Sequence, residues 1–175
     1  MVHGIMRVLL ITPPASSADS SSACAADASE CAADASEWIG LATSLRGAGL
    51  QVEVYDAAAL GRDLESVEVH VEHCWPQVVV TRAGGISSAG ARAVLRVAKT
   101  AVPGVITVMS GERADERADD DSQERVADFD VGGGGEQAEI DLLIRLRDGG
   151  EAPGPTRRRR LRGLAAAWSL IGNGR

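Results

Sequence analysis

The residues that could do chemistry in this chain lie where short apolar runs stop. The run at 78–80 is followed by small or polar residues at 81–85, among them Gly84 and Gly85. Glycine has no Cβ, so the backbone can approach a ligand closely there, and Ser87 or Ser88 can cap a following helix. A strand tip that opens onto a helix start is the usual ligand position in an open parallel sheet. The stretch therefore predicts a binding site, although its residues do not identify the ligand.

Motifs for the common catalytic chemistries are missing from the sequence. It contains neither GxGxxG after the first strand nor a Walker lysine motif, and no serine stands in a GxSxG elbow. No cysteine and histidine are paired in a recognisable nucleophile motif. We predict no catalytic residues and interpret the chain as a binding protein.

One cluster of metal-ligand residue types occurs, at His70, Glu72, His73 and Cys74. His70 and His73 could share a helical face and bind a metal. The alternative is a polar helix end before Pro76, and we favour it. We therefore predict no metal ligands.

Apolar runs alternate with helical patterns, which predicts the elements that position these residues. Strands are expected at 7–11, 51–56, 77–80, 105–109 and 129–131. Helices are expected at 38–46, 64–73 and 91–101, with a last one after the glycine-rich turn that places Ile140, Leu143, Ile144 and Arg147 on one face. The pattern at 64–73 is ambiguous, because valines at 67, 69 and 71 also fit a strand.

This alternation with short connections predicts an α/β fold, a doubly wound five-stranded parallel sheet in a Rossmann/flavodoxin-like three-layer sandwich. We expect the strand order 2-1-3-4-5. That order places the ligand crevice between the tips of the first and third strands.

The length of 175 residues predicts one domain with a tail. We assign residues 1–150 to the domain and 151–175 to a Pro/Gly linker and an arginine-rich tail. Within the domain, 15–37 is a low-complexity insertion, in which the heptad at 24–30 is repeated at 31–37.

The net charge of −7 is unevenly distributed. Residues 152–175 hold six arginines and no acid, so the first 151 residues hold 12 basic against 25 acidic side chains, a net charge of −13. Such a body should repel nucleic acid. No apolar stretch approaches the roughly 20 residues that span a bilayer, and three cysteines without a CxxC pair suggest reduced thiols. We therefore expect a cytoplasmic protein without nucleic-acid or membrane partners.

Several segments together carry a family resemblance. Residues 7–14, 40–49, 52–57, 76–80 and 102–111, with the glycine-rich turn 133–136, stand in an order that resembles the N-terminal cobalamin-binding domain of cobalamin-dependent radical S-adenosylmethionine enzymes. In that family a corrin ring lies over the carboxyl tips of the strands. The resemblance implies that the cobalamin face is lined by Thr12, Pro13, Pro14, Thr81, Arg82, Ala83, Gly84, Gly85, Ser110, Gly111, Glu112, Gly132, Gly133, Gly134, Gly135 and Glu136.

The chain departs from this family in two ways that limit its chemistry. No histidine stands in the Asp-x-His-x-x-Gly motif that supplies a lower cobalt ligand in related proteins. Cysteines at 24, 31 and 74 cannot form the CxxxCxxC motif of an iron–sulfur cluster. The resemblance therefore implies a stand-alone cobalamin-binding module without catalysis, which would hold its corrinoid for a separate radical S-adenosylmethionine or methyltransferase subunit.

Two alternatives remain open. The strand order also fits a degenerate receiver-like interaction or regulatory domain, although the paired acids and the aspartate of phosphate receivers are replaced by Thr12-Pro13-Pro14 and Thr81. A glycosyltransferase-like fragment would instead bind a nucleotide sugar through the glycine-rich turn after the fifth strand.

Overall fold

The chain forms one five-stranded parallel sheet in the order β2-β1-β3-β4-β5, which confirms the predicted topology. The computed structural model describes residues 5–14, 38–83, 88–111, 126–132 and 135–149. The predicted insertion at 15–37 and the predicted tail at 151–175 lie outside these residues.

Strands and helices alternate along the described chain as far as β4, and the next described element is β5. In chain order they are β1 (Arg7–Thr12), α1 (38–47), β2 (Gln51–Asp56), α2 (Leu64–Cys74), β3 (Val78–Arg82), α3 (Ser88–Ala101), β4 (Ile106–Ser110), β5 (Phe129–Val131) and α4 (Gly135–Arg147). None of the described helices has the length and apolarity needed to cross a bilayer.

The sheet separates two apolar cores. Successive side chains of a strand point to opposite faces, so Val8 and Leu10 of β1 join one core while Leu9 and Ile11 join the other. The first core packs α1 and α4 on the sheet, and the second packs α2 and α3. This arrangement is a three-layer sandwich with β1 buried on both faces.

Helix α1 ends in a turn that its sequence dictates. Gly49 has φ 86°, its N–H donates to the carbonyl of Arg46, and the N–H of Leu50 donates to the carbonyl of Leu45. This pair of bonds is a Schellman motif, in which glycine supplies the left-handed residue and an apolar contact closes the end. Leu45 and Leu50 are both buried, so the same turn aligns the chain with β2.

Helix α2 resolves the ambiguity between helix and strand. Val67 and Val71, four residues apart, are buried, while Val69 is 61% exposed. A strand period would have buried all three valines together. Asp63 caps the helix by accepting a hydrogen bond from the N–H of Ser66 at 2.9 Å.

The buried stripe of α4 differs from the predicted one. Ile140 and Ile144 are only partly buried, and the buried residues are Glu139, Leu142, Leu143 and Leu146. The stripe is displaced by about one position because Glu139 is held inside the layer by Arg82 of β3. A carboxylate was not expected on that face.

Candidate functional site

Eight of the eleven predicted site residues that the structure describes lie at the carboxyl edge of the sheet. Parallel pairing brings the ends of β1, β3, β4 and β5 to the same edge. The residues collected there are Thr12, Pro13, Pro14, Arg82, Ala83, Ser110, Gly111 and Gly132. Gly84, Gly85, Glu112, Gly133 and Gly134 lie outside the described residues.

Four side chains at this edge form a connected group, which we call the Arg82 cluster: Thr12, Trp38, Arg82 and Glu139. The indole N–H of Trp38 donates to Thr12 Oγ1 at 3.1 Å. The Arg82 guanidinium lies 4.6 Å from the centre of the Trp38 ring and donates to both carboxylate oxygens of Glu139, at 3.2 and 3.4 Å. The cluster ties together β1, α1, β3 and α4.

The burial of the cluster explains its composition. Trp38 is 1% exposed and Glu139 is 3% exposed. A buried carboxylate requires a compensating charge, and the guanidinium fork both supplies that charge and stacks on the indole face. Arg82 was predicted to line a cofactor face, and the structure directs its guanidinium into this ion pair. The α1/α4 side of the edge is therefore filled by an ion pair and an indole.

The residues that follow β3 and β4 have small side chains because the two backbones approach each other closely there. The N–H of Ala83 donates to the carbonyl of Ser110 at 2.7 Å. Gly111 has φ 98°, and a Cβ built there would lie 2.2 Å from the carbonyl oxygen of Ala83. Backbone contact thus accounts for this glycine without any ligand.

Two predicted site hydroxyls are enclosed beneath the edge. Thr81 is fully buried and Ser110 is 1% exposed. Within the described part of the chain, neither Thr81 Oγ1 nor Ser110 Oγ has a hydrogen-bond partner. Buried polar groups usually find partners, so these two hydroxyls are the unexplained polar atoms of the edge.

Gly135 and Glu136 belong to a helix, which corrects their assignment to a glycine-rich turn. They form the first turn of α4. Glu136 Oε1 accepts a hydrogen bond from Ser44 Oγ of α1 at 3.3 Å. Its carboxylate is thereby used in joining two helices.

The predicted ligand types on α2 are grouped differently from the prediction. His70 contacts Cys74 and Glu53 of β2, whereas His73 is exposed in the last turn. A cavity of about 350 Å³ adjoins this group, and it is lined by the amino-terminal halves of β1 and β2 together with Arg46, Cys74 and Pro76. The cavity therefore does not coincide with the predicted crevice.

Sequence reasoning missed three residues of these groups: Glu53, Trp38 and Glu139. Trp38 follows directly on the low-complexity repeat, and an isolated indole is a usable signal of a core contact there. Glu53 and Glu139 carry no such signal, because acids in an alternating strand and an amphipathic helix normally face water.

Comparison with known proteins identifies the fold. No family model and no curated protein matches the chain. Among solved structures, a CheY-like protein, TadZ from Pseudomonas aeruginosa PAO1, matches with a TM-score of 0.50 at 18% identity over 86% of this chain and all of that one. The RcsB response regulator of Salmonella typhimurium matches with a TM-score of 0.52 at 12% identity over 97% of this chain and 79% of that one. At these identities the likeness is one of fold, and the chain has the flavodoxin-like fold of CheY-like proteins.

Proposed function

We propose that the chain is a receiver-like interaction module that works without phosphorylation. The observation that carries the proposal is the Arg82 cluster, which occupies the β1/β3 edge where open parallel sheets place their ligands. The likeness in fold to two bacterial proteins, one CheY-like and one a response regulator, supports the same class of protein.

The chemistry of the strand ends supports independence from phosphate. An acyl phosphate requires a carboxylate acceptor, and Mg²⁺ requires oxygen ligands, usually carboxylates. The described ends of β1, β3 and β4 carry Thr12-Pro13-Pro14, Arg82-Ala83 and Ser110-Gly111, none of them acidic. Glu139, which contributes a buried carboxylate to this edge, is paired with Arg82. We infer that the Arg82–Glu139 ion pair holds the carboxyl edge of the sheet in a single conformation.

A phosphodonor experiment tests this proposal. The full chain is incubated with acetyl phosphate and Mg²⁺, and its intact mass is measured. We expect no phosphate adduct. We also expect the same partner proteins to be captured from native extract, by affinity purification and mass spectrometry, with and without the phosphodonor. A stoichiometric adduct, or the failure to capture any reproducible partner, would contradict the proposal.

Corrin binding is a second proposal, and the small, uncharged side chains at the described tips favour it. Pro13, Pro14, Ala83 and Gly111 leave little side-chain bulk at the edge. Cobalamin would be held through backbone groups there, while the Arg82 cluster restricts the α1/α4 side. Hydroxocobalamin at saturating concentration should then co-elute with the protein in gel filtration as a red species. A colourless protein peak would remove this proposal and leave the first intact.

A further inference from the structure

Three side chains of different ligand chemistry converge at the edge strand, away from the Arg82 cluster. His70 Nε2 lies 2.9 Å from Glu53 Oε1 and 3.4 Å from Cys74 Sγ. Cys74 Sγ lies 3.3 Å from Glu53 Oε2. All three ligand atoms lie within 4.8 Å of one another, so one ion could contact all of them.

These separations resemble the edges of a metal-coordination tetrahedron. Zn²⁺ bonds of about 2.0–2.1 Å to nitrogen and oxygen and 2.3 Å to sulfur imply ligand-to-ligand distances of about 3.3–3.6 Å. The two distances to Cys74 Sγ are close to that range, and the distance from His70 Nε2 to Glu53 Oε1 is slightly shorter. Small side-chain rotations would suffice to admit the ion.

The secondary structure holds these ligands in place. His70 and Cys74 are four residues apart on α2, so they share one helical face, and Glu53 projects from β2. The ring of Tyr55 stacks on the His70 imidazole at 4.0 Å with an interplanar angle of 13°, which fixes the orientation of that ligand. Glu53 and Cys74 also line the cavity of about 350 Å³, so water can reach a fourth coordination position.

The donor set fits zinc better than the hard cations. One thiolate, one imidazole and one carboxylate are typical zinc ligands, whereas Ca²⁺ and Mg²⁺ prefer oxygen alone. A thiolate and a carboxylate together neutralise the charge of a divalent ion. Without metal, burial and then the hydrogen bond to Glu53 raise the pKa of the Cys74 thiol to about 11. Coordination must therefore displace the thiol proton to solvent.

We propose that Glu53, His70 and Cys74 bind one Zn²⁺ ion, with water as the fourth ligand. In this step the Cys74 S–H bond breaks, the sulfur coordinates zinc and the proton leaves to solvent. The ion joins the carboxyl-terminal turn of α2 to the edge strand β2. The site is independent of the interaction function proposed above.

Cobalt substitution tests the site, since Co²⁺ is a coloured substitute for Zn²⁺. Reduced, metal-free full chain is titrated with Co²⁺ and followed by absorption. We expect one equivalent to give a thiolate-to-cobalt charge-transfer band and the intense visible bands of tetrahedral cobalt, both removed by Zn²⁺. Cys74→Ser should lose the charge-transfer band. Glu53→Gln and His70→Gln should each weaken Zn²⁺ affinity by about 10-fold or more in competition with a chromophoric chelator.

Matched control variants distinguish this site from other side chains of the protein that could bind a metal. His73→Gln removes a neighbouring exposed histidine, and Cys24→Ser with Cys31→Ser removes the two other cysteines. Both should keep the wild-type spectrum and affinity. Urea unfolding of metal-free Cys74→Ser checks that the variant is folded. Absence of the band in wild type, or its persistence in Cys74→Ser, would overturn the proposal, as would its loss in the variant lacking Cys24 and Cys31.

Discussion

Arg82 illustrates how one side chain decides what the carboxyl edge can do. Its position at the end of β3 made it a candidate to contact a ligand, yet its guanidinium is shared between Glu139 and the Trp38 ring. The side chain of Arg82 is 18% exposed and that of Glu139 is 4% exposed. Replacing one of these residues therefore leaves the charge of the other unpaired and poorly hydrated.

The Arg82–Glu139 ion pair predicts that replacing one of its residues destabilises the protein more than replacing both. Arg82→Met should lower the free energy of unfolding by about 3 kcal/mol, because it leaves the Glu139 carboxylate buried without a partner. Arg82→Met combined with Glu139→Leu should recover most of that loss, since both charges are removed together. Urea unfolding of the two single variants and the double variant measures the coupling between the residues.

The control for this cycle is Arg145→Met on the same helix as Glu139. Arg145 is exposed in the last turn of α4, so its loss should change stability by no more than about 0.5 kcal/mol. If Arg82→Met behaved like Arg145→Met, the ion pair would not stabilise the edge.

Gly111 gives a second prediction at the residue scale. Gly111 and Gly104 both have positive φ, 98° and 85°, but a Cβ at Gly104 would meet nothing within 4 Å. Gly104→Ala should cost about 1–2 kcal/mol through backbone strain alone. Gly111→Ala should cost a further 1–3 kcal/mol or so, because its Cβ would collide with the Ala83 carbonyl. Equal losses in urea unfolding would mean that the β3–β4 contact tolerates the extra atom.

At the scale of elements, helix α2 depends on a cap that its sequence contains but that we did not predict. The Asp63 side chain accepts from the Ser66 N–H. Hydrogen bonding to the Ser66 side chain and then to its backbone lowers the pKa of Asp63 below its ordinary value of 3.8. A carboxyl group with a lowered pKa in the folded state stabilises the protein above its unfolded pKa. The contribution is lost as pH falls through the folded pKa.

Asp63→Asn separates the charge from the cap. Asparagine caps helices about as well as aspartate but does not titrate, so the variant should match the stability of wild type near neutral pH. Wild type should then lose stability relative to the variant as pH falls below 3.8. Asp63→Ala should be less stable than both at neutral pH. Urea midpoints measured across this range check the prediction, and parallel curves for wild type and Asp63→Asn would contradict it.

The strands and helices show which features of the fold local sequence predicts and which it does not. Apolar runs and the residues that end them located β1, β3 and β4, because buried parallel strands are nearly continuous apolar runs. Strand β2 was located instead from its alternation of polar and apolar residues, and β5 from the short segment 129–131. Helix α2 was ambiguous, since valines at alternate positions fit two periods until packing buried Val67 and Val71 and left Val69 exposed. The stripe of α4 was misplaced because Glu139 is buried only through Arg82, 57 residues earlier.

At the scale of the whole molecule, topology was predictable and the chemistry of the edge was not. Alternating strands and helices joined by right-handed crossovers permit only a few strand orders. The predicted order 2-1-3-4-5 is the one observed. The Arg82 cluster and the group of Glu53, His70 and Cys74 each join residues from separate elements. Such contacts depend on register and helix rotation, which periodicity alone does not determine.

The assignment of residues 151–175 to a linker and tail stays a prediction, and truncation tests it. The cores formed by the described residues extend from Met6 to Leu146. A chain ending at Glu151 should therefore keep the unfolding free energy of the full chain within about 0.5 kcal/mol. The net charge falls from −7 to −13, so urea unfolding is measured at physiological salt, which screens charges over about 8 Å.

The matched control is a chain ending at Asp141, which removes Leu142, Leu143 and Leu146 from the first core. Each buried leucine is worth about 2–5 kcal/mol, so their combined loss approaches or exceeds the 5–15 kcal/mol that stabilises a typical domain. We expect this shorter chain to be unfolded and the chain ending at Glu151 to unfold cooperatively. Loss of a cooperative transition on removing 152–175 would instead place part of the fold's stability in the arginine-rich segment, and the domain boundary would then lie beyond residue 150.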